Sequence, residues 1–128
     1  MKNLFLMTVF FLSLSARVSA TDFDPVQQTK VLCDVLLKSD RVQFEAMVAS
    51  REKSMLQWWW DASGKGKYFA NLYGGCVFVK LDPKSNDVMK KLFIQRLNKD
   101  GKTPWSIPAP VTFELQADKS WKITSYSL

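Results

Sequence analysis

Aromatic side chains concentrate in one part of the chain and are its most promising binding residues. Trp and Tyr rings are frequent anchors at recognition surfaces, although each ring could equally fill the core. If residues 58–60, which are all Trp, lie on a helix, their side chains sweep about 200° around its axis. That is a wider arc than one buried stripe holds. The excess favours a contact surface or a pocket lip, with Trp60 as the ring facing away from the core. The candidate binding residues are Trp58, Trp59, Trp60, Tyr68 and Tyr73, with Trp105 in a Pro-rich loop as a second, separate candidate.

The absence of histidine restricts the catalytic chemistry open to this sequence. The 128 residues contain no His and two Cys. A Ser-His-Asp or Cys-His arrangement, a His-based zinc site and an imidazole base are therefore excluded. Residues 64–67 (GKGK) lack the spacing of a phosphate-binding loop and predict a flexible turn. We expect no cofactor and no metal.

The N-terminal residues have the pattern of a secretory signal. Lys2 precedes an apolar run over residues 4–14, and Val18, Ser19 and Ala20 supply small residues at a cleavage site. That run is shorter than the roughly 20 residues that span a bilayer. Residues 1–20 are predicted to be a cleaved signal peptide, with an uncleaved anchor or a cut after Ala16 as alternatives. Residues 21–128 would then form a single periplasmic or secreted domain without stable membrane insertion.

Charge and cysteine content fit an exported protein. Without Lys2 and Arg17 the formal net charge of +6 becomes +4, and the basic residues are dispersed, so we expect no nucleic-acid binding. An even pair of cysteines usually closes under oxidising conditions. Cys33 and Cys76 are predicted to form a disulfide, and two separately buried thiols are the alternative.

Three helices are predicted in the first half of the mature chain. Asp24 before Pro25 begins the first, and its many apolar residues predict burial on several sides. Asp40 begins the second, whose inward stripe would be Phe44, Met47 and Val48. The third would run over residues 51–60, and its inward face would be Met55, Trp58 and Trp59.

The second half of the chain predicts strands. Residues 76–81 and 88–97 are β-rich runs, and residues 111–126 alternate apolar and polar side chains across a polar connection, which is typical of a β-hairpin. One face of that hairpin carries Phe113, Leu115, Trp121 and Ile123 and needs a covering layer. Residues 105–110 contain two prolines and predict a loop or edge rather than a central strand.

This order of elements resembles the nuclear transport factor 2-like superfamily, the cystatin-like cone fold. The matching features are the buried opening helix, the Lys38-Ser39-Asp40 break and the ending VTFELQADKSWKI. The resemblance implies an α+β fold, with N-terminal helices packed on a curved, mainly antiparallel β-sheet, and a pocket at the open end of the cone. Members include isomerases, dehydratases, secretion-system components and non-catalytic binding domains, so the fold does not settle the function.

Two functions follow as hypotheses. The first is an exported non-catalytic protein that binds a small hydrophobic ligand or a protein partner, with an inhibitor or immunity-type protein as a specific version. The alternative, implied by the resemblance, is an isomerase or dehydratase with a carboxylate base. Its base would come from Asp34, Asp40 or Asp61, with Tyr68 or Tyr73 as hydrogen-bond donors. Burial in the cone would raise the pKa of such a base.

Overall fold

The computed structural model describes residues 22–128, so the predicted signal peptide lies outside the described residues. The helices are α1 (Pro25–Leu37), α2 (Arg41–Met47), α3 (Lys53–Leu56) and α4 (Phe69–Leu72). The strands are β1 (Gly75–Leu81), β2 (Met89–Leu97), β3 (Ala109–Leu115) and β4 (Trp121–Tyr126). The predicted α+β class is confirmed. Over residues 22–128, no helix has the length and apolar character needed to cross a bilayer.

The first two helices begin where their capping residues predict. The Asp24 carboxylate accepts a hydrogen bond from the Gln27 backbone N–H at 3.1 Å, and Pro25 occupies the first turn of α1. The Asp40 carboxylate accepts one from the Gln43 N–H, also at 3.1 Å. Each carboxylate thus satisfies a backbone donor that has no partner within its helix.

The sheet is an antiparallel meander in the order β1-β2-β3-β4. The predicted hairpin is formed by β3 and β4, and Phe113 lies opposite Ile123, both buried. β3 begins earlier than expected, because Pro110 is its second residue and pairs with Phe93 of β2. Proline is tolerated there because the Pro110 carbonyl accepts the Ser127 N–H, beyond the end of β4, where the ladder loses little from a missing donor.

Helix α1 packs on one face of the sheet. Leu32 and Leu36 are fully buried in one core with Leu92, Ile94 and Phe113. Val26 and Val31, however, are exposed, so the expectation that α1 is buried on several sides is wrong. Val26 lies beside the edge strand β1, and within residues 22–128 no further strand continues the sheet over it.

The predicted disulfide is confirmed. Cys33 of α1 and Cys76 of β1 are bonded, with their Cα atoms 5.7 Å apart. The bond joins the helical layer to the edge of the sheet.

The tryptophan segment differs from its prediction. It consists of a 3-10 turn (Ser50–Glu52), α3 and a π-helical turn (Gln57–Ala62). Leu56, Trp59 and Trp60 are buried, whereas Met55 and Trp58 are exposed. The expectations that Met55 and Trp58 face inward and that Trp60 faces away are therefore wrong.

The reason is a shift of one residue in the buried stripe. Leu56, Trp59 and Trp60 have the same helical spacing as the predicted set, and every position concerned is apolar, so spacing alone cannot choose between them. Tertiary packing chooses instead, because Phe44 of α2 stacks against the Trp59 and Trp60 rings with centroids 5.3 and 5.2 Å apart. Gly66 then packs so close to Trp60 that a Cβ there would lie 2.4 Å from a ring carbon.

Candidate binding cleft

A cleft of about 150 Å³ opens where α4, the end of β2 and the loop after β2 meet. Most of its wall is aromatic or aliphatic, and it contains two cationic side chains. We call it the Arg96 cleft. It is lined by Lys65, Phe69, Leu72, Tyr73, Arg96, Trp105 and Leu128.

Arg96 occupies a position of β2 where the core pattern would continue. Side chains alternate along a strand, so Leu92, Ile94 and Arg96 project from the same face. Leu92 and Ile94 are fully buried beneath the helices. Arg96 also pairs with Cys76, whose sulfur bonds to α1, which places Arg96 on the helix-facing side. A cation therefore stands at the end of an otherwise apolar row.

Two aromatic rings hold the Arg96 guanidinium. Its central carbon lies 4.7 Å from the centre of the Trp105 ring and 5.6 Å from that of Tyr73. The two rings also contact each other edge to face, with centroids 5.2 Å apart. Such stacking stabilises a guanidinium by about 0.5 to 2 kcal/mol, depending on its exposure to water.

The charge of Arg96 has no counterion in the described part of the chain. None of the ion pairs there involves Arg96. Its Nε atom is buried and has no hydrogen-bond acceptor among residues 22–128. A buried donor without an acceptor costs free energy, typically about 1 to 3 kcal/mol and more when it is charged. The site therefore favours an incoming anion.

Trp105 is fixed in the loop after β2 by backbone contacts. Its N–H donates to the Arg96 carbonyl at 2.9 Å. The buried Gln95 side-chain amide lies within hydrogen-bonding distance of the carbonyls of Arg96, Trp105 and Ser106, at 2.9, 2.9 and 3.1 Å. The Trp105 wall of the cleft is therefore ordered before any ligand arrives.

The opposite wall is tied to the same loop. The Lys99 ammonium donates to the Ala70 carbonyl of α4 at 2.7 Å. The Gly74 N–H donates to the carbonyls of Leu97 and Asn98, and a Cβ at Gly74 would lie 2.6 Å from the Asn98 oxygen. Only glycine permits this close approach, which sets the distance between Tyr73 and the loop.

Asp100 orders the tip of that loop. Its carboxylate accepts hydrogen bonds from the Thr103 hydroxyl and from the backbone N–H groups of Thr103 and Lys102. These bonds lower the pKa of Asp100, and the Thr103 hydroxyl contributes most. All of these hydrogen bonds lie within the turn that contains Asp100, and Asp100 does not line the cleft.

The structure separates the aromatic residues that the sequence grouped together. Tyr73 and Trp105, far apart in the chain, meet in the cleft. Trp59 and Trp60 belong to the core, which was the alternative interpretation. Trp58 and Tyr68 are exposed, at 61% and 51%, and do not line the cleft.

Sequence reasoning missed Arg96 and Lys65. A signal for Arg96 was present, since Leu92-x-Ile94-x-Arg96 places a charge at the end of an apolar alternation. Lys65 was assigned only to a flexible turn, and nothing in its neighbours indicates a cleft.

The three proposed carboxylate bases lie elsewhere. Asp61 accepts two hydrogen bonds from Arg41, at 3.0 and 2.8 Å. That contact lowers the pKa of Asp61, the reverse of the shift expected for a buried base. Asp34 forms an exposed ion pair with Lys38, and Asp40 caps α2. None of the three lines the Arg96 cleft, and residues 22–128 contain no cluster of three or more His, Cys, Asp or Glu that could hold a metal.

Comparisons with protein-family models, curated proteins and solved structures found no match. A role for this chain must therefore be argued from its own residues. Among the described residues, the Arg96 cleft combines an unpaired cation with aromatic walls, which is a chemistry suited to a ligand.

Proposed function

We propose that this chain is an exported, non-catalytic binding protein whose Arg96 cleft receives part of a protein partner. The observation that carries the proposal is the ordered stack of Tyr73, Arg96 and Trp105. Trp, Tyr and Arg are the residues that most often dominate binding energy at protein interfaces. Export is supported by the signal-like residues 1–20 and by the disulfide, which is typical of oxidising compartments.

The size of the cleft favours a protein partner over a free hydrophobic ligand. Pockets for small molecules usually enclose about 300 to 1,000 Å³. The Arg96 cleft has about 150 Å³, which suits one side chain of a larger partner. Two of its lining residues, Leu72 and Trp105, are 54% and 41% exposed, so a surface placed over the cleft would bury them as well.

An inhibitor or immunity-type protein is the specific version we propose. Such a protein acts by binding to its partner and needs no catalytic residues of its own. A compact domain with a disulfide and a preformed anchor site meets that requirement, because rigidity before binding lowers the entropic cost of association. The cone fold that the sequence resembles is part of the same proposal.

Capture with matched tryptophan variants tests the proposal. Residues 21–128, oxidised and immobilised, would be exposed to a periplasmic extract as wild type, Trp105→Ala or Trp58→Ala. Trp58 is the control because it is more exposed than Trp105 but lies outside the cleft. Trp60→Ala would not serve, because Trp60 is 2% exposed and its loss would destabilise the core.

The expected result is a partner that wild type and Trp58→Ala retain and Trp105→Ala loses. With that partner purified, calorimetry should give an affinity about 30-fold lower for Trp105→Ala, the loss of about 2 kcal/mol typical of a central interface anchor. Equal affinities of all three forms for every captured protein would contradict a role for the cleft.

A further inference from the structure

We infer that the group received by the Arg96 cleft is a carboxylate carried on a small apolar or aromatic group. This inference rests on the proposed function and specifies the chemistry of its anchor. Its starting point is the charge of the side chains that line the cleft. Arg96 and Lys65 both line it, and no Asp or Glu does so.

The aromatic contacts do not occupy the N–H groups of Arg96. Tyr73 and Trp105 contact the guanidinium through their rings, whereas its N–H groups donate in the plane of the group. No hydrogen bond joins the Arg96 side chain to another residue in the described range 22–128, and its Nε is buried. A carboxylate can accept two parallel N–H bonds from a guanidinium, so it matches the Arg96 side chain in shape as well as in charge.

The number of cations favours a carboxylate over a phosphate group. One stacked guanidinium and one exposed ammonium face the cleft. Phosphate groups carry nearly two negative charges and are usually bound by clusters of arginines. A singly charged carboxylate is balanced by Arg96 alone, and Lys65 at the exposed rim would attract it from solution.

The remaining walls define what the carboxylate is attached to. Phe69, Leu72 and Tyr73 are apolar or aromatic, and the cleft is about as large as an engineered cavity that accepts benzene, roughly 150 Å³. A single ring or branched aliphatic group with an adjacent carboxylate therefore fits. Benzoate has this chemistry, and benzamide is its neutral counterpart of nearly the same shape.

The experiment compares benzoate with benzamide on the oxidised protein. Nuclear magnetic resonance titrations would follow the Trp105 indole N–H and the Arg96 Nε–H. Wild type should bind benzoate about tenfold or more tightly than benzamide, the range for a hydrogen bond to a charged group. Arg96→Gln should remove that preference, and Arg96→Lys, which keeps the charge but loses the planar fork, should retain only part of it.

Arg51→Gln is the matched control. Arg51 is an exposed arginine that pairs with Glu114 at 3.0 Å and is absent from the cleft, so its replacement changes the net charge equally. This variant should keep the full preference for benzoate. Circular dichroism would confirm that each variant remains folded.

Two further ligands distinguish the sources of a carboxylate in a protein partner. N-acetylleucine presents the carboxylate of a chain end, and the α-amide of N-acetylglutamate presents that of a side chain. Tighter binding of the first identifies a C-terminal anchor, and tighter binding of the second identifies an acidic side chain. Loss of either interaction in Arg96→Gln supports the inference.

The opposite outcomes are equally definite. Equal affinity for benzoate and benzamide, a preference that survives Arg96→Gln, or no benzoate-dependent shift up to its solubility limit would overturn the carboxylate anchor. The proposed function would still stand if Trp105→Ala abolished partner binding. It would fall separately if Trp105→Ala bound every captured partner as tightly as wild type.

Discussion

At the scale of single residues, Tyr126 shows how burial without a partner alters a titration. Its ring packs edge to face on Phe44 and Trp59, with centroids 5.6 and 4.9 Å away. Its hydroxyl is buried and has no hydrogen-bond partner within residues 22–128. Burial, and secondarily the charge of Glu52, raises the pKa of Tyr126 from 10.0 to about 12.

This shift predicts a loss of stability in alkaline solution. Because the pKa is raised in the folded state, the unfolded chain loses the phenolic proton first, and the stabilisation present below pH 10 declines as pH rises towards 12. The free energy of unfolding should fall by about 1 to 2 kcal/mol over that interval through this group, allowing for partial screening. Urea unfolding at several pH values would measure it.

Phenylalanine variants isolate the contribution of Tyr126. Tyr126→Phe should show a smaller decline between pH 10 and pH 12 than wild type. Tyr68→Phe, which removes an exposed phenol, should follow the wild-type curve. Parallel curves for wild type and Tyr126→Phe would show that the phenol does not contribute.

Single residues also mark the limit of sequence reasoning in the tryptophan segment. Asp24 and Asp40 were predictable as caps because a cap depends only on its own next three residues. The orientation of Trp58 and Trp60 depends on Phe44 and on a π-helical turn, neither of which leaves a local pattern. Because every position in both possible stripes is apolar, the sequence pattern could not distinguish the predicted buried stripe from the one shifted by a residue.

At the scale of elements, the Gln95 side chain fixes the part of the loop after β2 that carries Trp105. The Gln95 amide lies near three carbonyls, two of them in the segment that carries Trp105. Gln95→Leu keeps the volume similar but removes the donor. It should lower the free energy of unfolding by about 0.5 to 1.5 kcal/mol, because the part-buried carbonyls lose the hydrogen-bond donor of Gln95. It should also accelerate hydrogen exchange at the Trp105 N–H, which bonds to the Arg96 carbonyl.

The control for this prediction is Gln27→Leu. Gln27 lies in the first turn of α1, its side chain is exposed, and only its backbone N–H bonds to Asp24. The Gln27→Leu variant should leave both the free energy of unfolding and the rate of hydrogen exchange at the Trp105 N–H near their wild-type values. If hydrogen exchange at the Trp105 N–H were no faster in Gln95→Leu than in the control, Gln95 would not contribute to the order of the segment that carries Trp105.

The elements themselves were largely predictable, but their junctions were not. The alternation in residues 111–126 predicted the β3–β4 hairpin because one side of each strand is buried. The prediction of a loop or edge over residues 105–110 was wrong for Ala109 and Pro110, which belong to the central strand β3, and Pro110 is accommodated because it lies where β4 has already ended. Neighbouring strands decide that boundary, and a single segment does not contain the information.

At the scale of the whole molecule, the sequence predicted that helices pack on a sheet, but it did not predict the cleft. Helical periodicity before residue 64 and strand alternation after residue 75 imply helices packed on a sheet. The Arg96 cleft joins Lys65, Tyr73, Arg96 and Trp105, which come from a turn, a helix end, a strand and a loop. Only the closed fold brings these four together, so the sequence could name Tyr73 and Trp105 as candidates but could not place them side by side.

The disulfide acts on this whole architecture, because Cys33 and Cys76 close a long segment that contains α2, the tryptophan segment and α4. With a sequence separation of 43 between the cysteines, the chain-entropy model gives about 4 kcal/mol of stabilisation through the unfolded state. Reduction should therefore move the urea midpoint down by an amount equivalent to roughly 2 to 5 kcal/mol.

The Cys33→Ala/Cys76→Ala double variant is the control for this prediction. It should unfold at nearly the same urea concentration as the reduced wild type, and reductant should not change its unfolding curve. Mass spectrometry of the oxidised protein, heavier by about 2 Da after reduction, would verify the starting state. Coincident unfolding curves for oxidised and reduced wild type would mean that the contact between α1 and β1 stands without the bond.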